Sequence, residues 1–385
     1  ISFNSDCFHL EVQKRDFGIE YALPFVADGN WRGSGDIIWP LLRQYIPDND
    51  RNIFMFNHSP SALNIASMKK MYPMSKVIFI IHDQGWCASL FGDASLLAAI
   101  ENDGYSAKVS EETCANVHGY CAHEHAIYDI SDMIVCLSES TEHCLRTIYK
   151  VPDNKIARIF NGYPTDRCGF SSKEIARRKL GLMPDDEILA FVARPVPHKG
   201  IIAILKTVEK LRKKHPRVRC ALMGNPGGFL NYWEIGGKIA PNLILPGQLS
   251  QKQLRQWYSA SDIGVISSYT EQCSYAALEM MNAGITIVSS DGNGLCDMFT
   301  DRQDAFVAHI GDVTDVESYT DRLAEKIEEA FSSSITKRKH MASAARNLLR
   351  TKYSAEKMAD RYADLFRCIA DSAVLSASAT ISSIS

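Results

Sequence analysis

The chain has 385 residues, 46% of them hydrophobic and 23% charged, with 42 Lys and Arg against 45 Asp and Glu for a net charge of −3. That length suits about two globular domains, the near-balanced charge argues against a dedicated nucleic-acid binder, and no apolar run approaches the roughly 20 residues of a membrane-spanning helix. The eleven cysteines are an odd number and sit in stretches such as Met133-Ile134-Val135-Cys136-Leu137, which predicts small buried residues in a reducing cytoplasm rather than a disulfide framework. No basic, then apolar, then small-residue signal pattern stands at the N-terminus.

In chain order, Ile1-Ser2-Phe3 reads as a strand entered in mid-course. Phe3 then runs quickly into Lys14-Arg15-Asp16, and no Gly-rich loop opens a helix, so the first strand–loop–helix unit of a doubly wound domain is not legible and this domain is expected to be truncated. Strands are predicted at Ile53–Phe56, Val77–Ile81, Met133–Leu137 and Ile156–Phe160, and helices at Ser61–Met71, Glu111–Tyr128 and Thr141–Tyr149. The turn Asn161-Gly162-Tyr163-Pro164 and the polar stretch after it place a domain boundary near 165. Beyond it, strand-length apolar runs recur at Ile188–Ala193, Val218–Met223, Leu243–Leu245, Ile263–Ile266, Ile285–Val288 and Ala305–Ala308. Between them lie helical patterns, such as Ile201, Leu205, Val208 and Leu211 on one face. Alternating strands and helices imply parallel strands with right-handed crossovers. Helices are predicted at Val316–Phe331, Thr336–Leu349 and Ala355–Ile369. The domains are therefore expected over 1–165 and 166–350, with a C-terminal helix over 351–371 and a flexible Ser/Ala-rich tail over 372–385.

Three places carry residues suited to chemistry. The loop Ala193-Arg194-Pro195-Val196-Pro197-His198-Lys199-Gly200 follows a buried strand and precedes a helix. Ligands of open α/β sheets bind at such strand ends, so Arg194 and Lys199 stand where an anion would sit, and their mutual repulsion calls for one. After the strand Ile263–Ile266 comes Glu271, then Ser274 as a candidate N-cap, then Glu279. Free backbone N–H groups near Cys273, Ser274 and Tyr275 suit a phosphate, and carboxylates suit the vicinal hydroxyls of a sugar nucleotide. His82-Asp83 ends a strand of the other half and is placed to face a cleft. Cys114, His118, Cys121, His123 and His125 are zinc-type ligands, but their spacing matches no standard finger, and His123 and His125 point about 200° apart on a helix; no metal is expected.

The ordered set Arg194…Lys199-Gly200, Glu271-x7-Glu279 and Gly284-Ile285-Thr286-Ile287-Val288-Ser289-Ser290-Asp291-Gly292-Asn293-Gly294-Leu295 resembles the retaining GT-B glycosyltransferases, glycosyltransferases group 1. Their usual forms are G-R-x4-K-G, E-G-F-G-x4-E and G-x-P-V-x-x-S-D-x-G-G. The resemblance extends through His82-Asp83, Ser131–Ser138 and Phe160-Asn161-Gly162 to the helix around Tyr353–Phe366. It implies two doubly wound Rossmann-like domains facing a cleft, with the C-terminal helix returning to the N-terminal domain. It further implies that Arg194 and Lys199 bind the donor diphosphate, Glu279 the ribose hydroxyls and Glu271 the transferred sugar. His82 would line the cleft near donor sugar and acceptor, and the backbone near Gly247, Gln248 and Leu249 would meet the base. Two departures stand out: Ala193 replaces Gly, and Gln272-Cys273-Ser274 replaces Gly-Phe-Gly.

The implied activity moves a sugar from a nucleotide-diphosphate sugar to the hydroxyl of a glycan or lipid-linked acceptor, with retention and without metal; the nucleotide sugar is a co-substrate and no cofactor is expected. The alternatives are a GT-B epimerase or phosphorylase, a glycoside hydrolase using two carboxylates, and a non-catalytic sugar-nucleotide-binding remnant. A cytoplasmic location is expected, with peripheral contact to the inner membrane face through Arg177-Arg178-Lys179 and Lys210–Arg219.

Overall fold

A computed structural model describes residues 2–4, 11–16, 18–24, 35–57, 61–166 and 169–382; Ile1 and positions 383–385 of the expected tail lie outside them. Strands β1 (Ser2–Asn4), β2 (Glu11–Arg15) and β3 (Gly18–Pro24) form a small sheet of order β1-β3-β2, in which β2 and β3 are an antiparallel hairpin. This hairpin was not legible in the sequence, because its strands mix charged and apolar residues without a clean alternation (Glu-Val-Gln-Lys-Arg). A separate sheet is built from β4 (Ile53–Phe56), β5 (Lys76–Ile80), β6 (Met133–Cys136) and β7 (Ile156–Arg158), all parallel and in sequential order. Its helices are α1 (Gly35–Arg43), α2 (Ala62–Met71), α3 (Gly85–Ser89), α4 (Ala94–Asp103), α5 (Glu111–Ile130) and α6 (Glu139–Thr147).

The C-terminal half holds β8 (Glu187–Val192), β9 (Val218–Met223), β10 (Leu243–Gly247), β11 (Ile263–Ile266), β12 (Thr286–Ser290) and β13 (Phe306–Ala308). They make one parallel sheet of order β10-β9-β8-β11-β12-β13. The accompanying helices are α7 (Lys173–Leu180), α8 (Ile201–Leu211), α9 (Pro226–Leu230), α10 (Trp233–Gly236), α11 (Gln251–Ala260), α12 (Tyr275–Ala283), α13 (Val316–Ser332), α14 (Ile335–Lys352) and α15 (Ala355–Ser382). In this order the chain winds outward from β8 to one edge, then returns to β11 and winds to the other. The C-terminal ends of β8 and β11 therefore diverge and leave a crevice. The predicted C-terminal strands and helices correspond to these elements within a residue or two at most ends, but α7 and the short helices α9 and α10 were not read.

Local chemistry explains where the helices begin. Side-chain oxygens of Ser61, Asp93, Ser110, Ser138, Ser172, Ser250, Ser274, Asp315 and Ser334 each accept a first-turn backbone N–H, satisfying donors that have no partner within the helix. The strands are covered on both faces: along β5, Val77 and Phe79 join one buried cluster while Ile78 and Ile80 join another, the period of two expected of a strand. That second cluster also contains Leu365 and Ile369 of α15, so the last helix crosses back to pack on the N-terminal sheet. Tyr163 donates its N–H to Tyr353 O at 2.8 Å and accepts from Ala355 N at 3.1 Å. The helix expected over 351–371 begins at Ala355, and its backbone stays helical to Ser382, beyond the point where the tail was expected.

The basic stretches are largely answered by acids. Lys206, Lys210 and Lys214 pair with Glu317, Asp321 and Glu328, and Arg177 is buried against Asp262 at 2.7 Å. No helix among the described residues is long and apolar enough to cross a membrane. Cys114 and Cys121 face the core, while His118 and His125 both lie against Glu101; among the described residues no group of three His, Cys, Asp or Glu is arranged to hold a metal ion.

Gly162, where α15 meets the N-terminal half, has no room for a side chain: a Cβ there would stand 2.7 Å from Ala355 Cα and from Ser354 O, and 2.8 Å from Met358 Cβ. Gly162→Ala is therefore expected to destabilise the protein by about 1–3 kcal/mol, the cost of overpacking. Chemical denaturation measures this, and an unchanged midpoint would show that α15 is not seated there.

Candidate active site

The loops that follow β8 and β11 bound a cavity of about 320 Å³ whose wall combines Arg194, Lys199, Ser268 and residues 271–276 with His82, Leu137 and Asn161 from the N-terminal sheet. The β8 loop is a 3-10 turn over Pro197–Lys199 ending at Gly200, whose φ of +74 lies in the left-handed region. A Cβ at Gly200 would sit 2.0 Å from Ser267 O. Only glycine allows this close approach, which brings the two loops together and aims Lys199 at the cavity.

Lys199 Nζ lies 2.9 Å from Glu271 Oε1, with the two side chains 14% and 17% exposed, and also donates to Thr270 O at 3.3 Å. Ser268 Oγ donates to the same Oε1 at 2.8 Å, so both interactions hold one carboxylate oxygen and leave Oε2 without a hydrogen-bond partner among the described residues. The anion that the two cations of this loop require is thus supplied in part by Glu271. Arg194 is exposed and makes no ion pair among the described residues. Behind the Glu271 loop, Ser274 caps α12 by accepting from Ala277 N, so the N–H groups at the start of α12 open toward the cavity wall formed by residues 273–276. Gly294 backs this loop closely; a Cβ on it would stand 2.1 Å from Glu271 O.

The charges act on their neighbours. Burial, reinforced by Lys199 and Arg194, lowers the His198 imidazole to about 4. Asp83, across the cleft, is raised above its ordinary value by desolvation, against the opposing pull of Lys199 and Arg194. His82 is exposed on the rim, with Nε2 2.6 Å from Asn57 Oδ1.

Arg194, Lys199, Glu271, Cys273, Ser274, Tyr275 and His82 are therefore gathered around one cavity. Two expected groups are not on its wall. Glu279 is buried, its carboxylate accepting from Gln251 Nε2 at 2.9 Å and Tyr258 OH at 3.1 Å. Gly247, Gln248 and Leu249 lie past the end of β10, where Gly247 O accepts from Gly224 N. Glu271 lines the cavity while the Glu279 carboxylate is engaged by Gln251 and Tyr258 away from its wall. The residues that sequence reasoning passed over are Ser268, Asn161 and Gln272. Asn161 and Gln272 were visible as part of a turn and as a departure from a pattern, but the bonds from Asn161 to the Cys273 carbonyl and from Thr141 to Gln272 have no sequence signal.

With this geometry in place, comparison with known proteins is informative. Residues 172–348 match the glycosyl transferases group 1. That segment, a little under half of the chain, is similar to the glycosyl transferases group 1. A curated relative, D-inositol 3-phosphate glycosyltransferase 2 of Catenulispora acidiphila, is 24% identical over 241 residues, which cover 60% of this chain and 56% of the relative; the chain spans about half the length of the curated relatives it matches. The sucrose-phosphate synthase of Thermosynechococcus elongatus superposes with a TM-score of 0.70 at 16% identity, covering 93% of this chain and 85% of that one. Anabaena HepE, solved with UDP and glucose, gives 0.64 at 13% identity over 82% and 77%. The chain thus has the GT-B fold.

The cationic loop makes a pH prediction. His198 has a folded-state value of about 4 against an ordinary 6.5, so the unfolded chain binds the proton first. The stability that this residue contributes is intact above about 6.5 and drains as pH falls toward 4. Stability of the wild type should fall more steeply across that window than that of His198→Asn, with the two curves parallel above it. Parallel curves throughout would contradict the lowered His198 value that burial, with Lys199 and Arg194 beside it, produces.

Proposed function

We propose that this group 1 glycosyltransferase transfers a sugar from a nucleoside diphosphate sugar to an acceptor hydroxyl, with the diphosphate held by Arg194, Lys199 and the N-terminus of α12. The observation that carries this reading is the convergence of an exposed guanidinium, a lysine and the open end of a helix on one cavity at the β8/β11 crevice. In the reaction the bond from the anomeric carbon to the diphosphate oxygen breaks and the electron pair leaves with the diphosphate. The acceptor oxygen bonds to that carbon and its proton passes to the departing phosphate. The carbon becomes cationic while negative charge grows on the leaving group. Fixed positive groups already aimed there stabilise that charge without reorganising; Arg194 offers a fork for two oxygens and Lys199 a point charge.

Glu271 is read as the contact to hydroxyls of the transferred sugar, through the oxygen that Lys199 and Ser268 leave open. His82 is read as lining the acceptor side, and Glu279, with Gln251 and Tyr258 around it, as a ribose contact reached after local rearrangement. Gly247, Gln248 and Leu249 are read as the base side, beyond the cavity wall. Retention of configuration, implied by the resemblance of the motifs, would place the acceptor on the face that the phosphate leaves. Two cations and a helix terminus supply the role of a metal in this scheme, so none is required. UDP is the first nucleotide to test, because HepE was solved with it. The N-terminal half, which contributes His82 and Asn161 to the cavity, is read as the acceptor side.

Lys199→Ala should lower transfer from UDP-sugars by about two to three orders of magnitude, the scale of losing one preorganised charge stabiliser, with the fold intact by circular dichroism. A chelator should leave the wild-type rate unchanged, and NMR of the product should show the donor's anomeric configuration. Unchanged turnover in Lys199→Ala would overturn the assigned role.

A further inference from the structure

The loop that carries Glu271 is gripped from the opposite half of the molecule. Ser138 caps α6: its Oγ accepts from Thr141 N at 3.1 Å and donates to Thr141 Oγ1 at 2.8 Å. With that hydroxyl oriented, Thr141 Oγ1 donates to Gln272 Oε1 at 2.5 Å. All three side chains are buried, Ser138 at 1%, Thr141 at 5% and Gln272 at 9% exposure. One residue on, Asn161 Nδ2 donates to Cys273 O at 2.9 Å. Ser140, next on α6, bonds through its N–H to Asp297 Oδ2 at 2.9 Å, fixing the segment that backs the Glu271 loop. Gln272 is thus held by its side chain, and Cys273 by its carbonyl, from two different strand ends of the N-terminal sheet.

Position 272 is where the group 1 pattern has glycine, which has no side chain with which to make such a bond. We infer that Gln272, through Thr141, is a positioning residue that sets the register of the Glu271 loop and the α12 N–H groups according to how the two halves sit. Donor affinity then depends on an interlobe hydrogen bond and not only on groups that touch the donor. The physical asymmetry makes the coupling strong: removing the hydroxyl leaves a buried carbonyl oxygen unsatisfied, which costs more than a neutral hydrogen bond contributes. The inference rests on the proposed donor site and deepens it.

The test measures binding of UDP, GDP and ADP by calorimetry to wild type, Thr141→Val, Thr141→Ser, Gln272→Leu and the Val/Leu double variant, with melting temperatures recorded without ligand. Thr141→Val is expected to raise the dissociation constant of the best nucleotide about tenfold. Thr141→Ser should restore it to within about twofold, and the double variant should match a single one rather than multiply the losses. A purely structural role would lower the melting temperature while leaving the constant unchanged. Equal binding by wild type, Thr141→Val and Gln272→Leu overturns the inference and leaves the donor site standing. A wild type that binds none of the three nucleotides overturns the donor site and the inference with it. Gln272→Leu decides the question should Thr141→Val not fold.

Discussion

One constraint organises the molecule: the Lys199 ammonium and the Glu271 carboxylate must meet at the crevice between β8 and β11, 2.9 Å apart and mostly withdrawn from water. Partly buried ion pairs are poor instruments of stability, since desolvation offsets much of their attraction. This one is nonetheless built with care. Gly200 accepts a left-handed backbone so that the β8 loop can press on Ser267, Ser268 fixes the carboxylate, and the close approach of Gly294 supports the loop from behind. The doubly wound order of the sheet supplies the crevice. A pair held this way, beside an exposed Arg194 and an open helix end, suits a ligand that brings negative charge and hydroxyls together.

The second half of the chain was readable because its physics is local. Buried strands such as Ile263–Ile266 are short apolar runs, and helices announce themselves through the Ser274 cap of α12 and, for α8, a stripe at spacings of three and four. The cationic loop and the Glu271 segment could be placed at strand ends on that basis alone. The N-terminal region was less legible. The β2–β3 hairpin has a mixed pattern, with Val12 and Ile19 half or more exposed, so burial left no clean period in the sequence. The site itself was readable as a list of residues but not as a geometry. Glu279 lies within α12, the helix that Ser274 caps, yet its commitment to Gln251 and Tyr258 depends on α11 packing nearby, which no spacing rule reveals.

The interlobe contacts show the same limit from the other direction. Thr141 and Gln272 are 131 residues apart in sequence, and neither is an obvious functional residue by type. Their bond nevertheless ties a helix cap in one half to the loop that holds the ion pair in the other. Asn293 likewise donates to Gly92 O across the cleft. The Glu271 loop and the segment behind it are therefore not independent of the N-terminal half.

The most direct trial of the account is a crystal structure of the protein with UDP. The diphosphate is predicted within about 3 Å of the Lys199 ammonium, the Arg194 guanidinium and the backbone N–H groups that open α12. A diphosphate bound outside that crevice, or one that leaves Lys199 on Glu271 alone with no phosphate oxygen in reach, would contradict it.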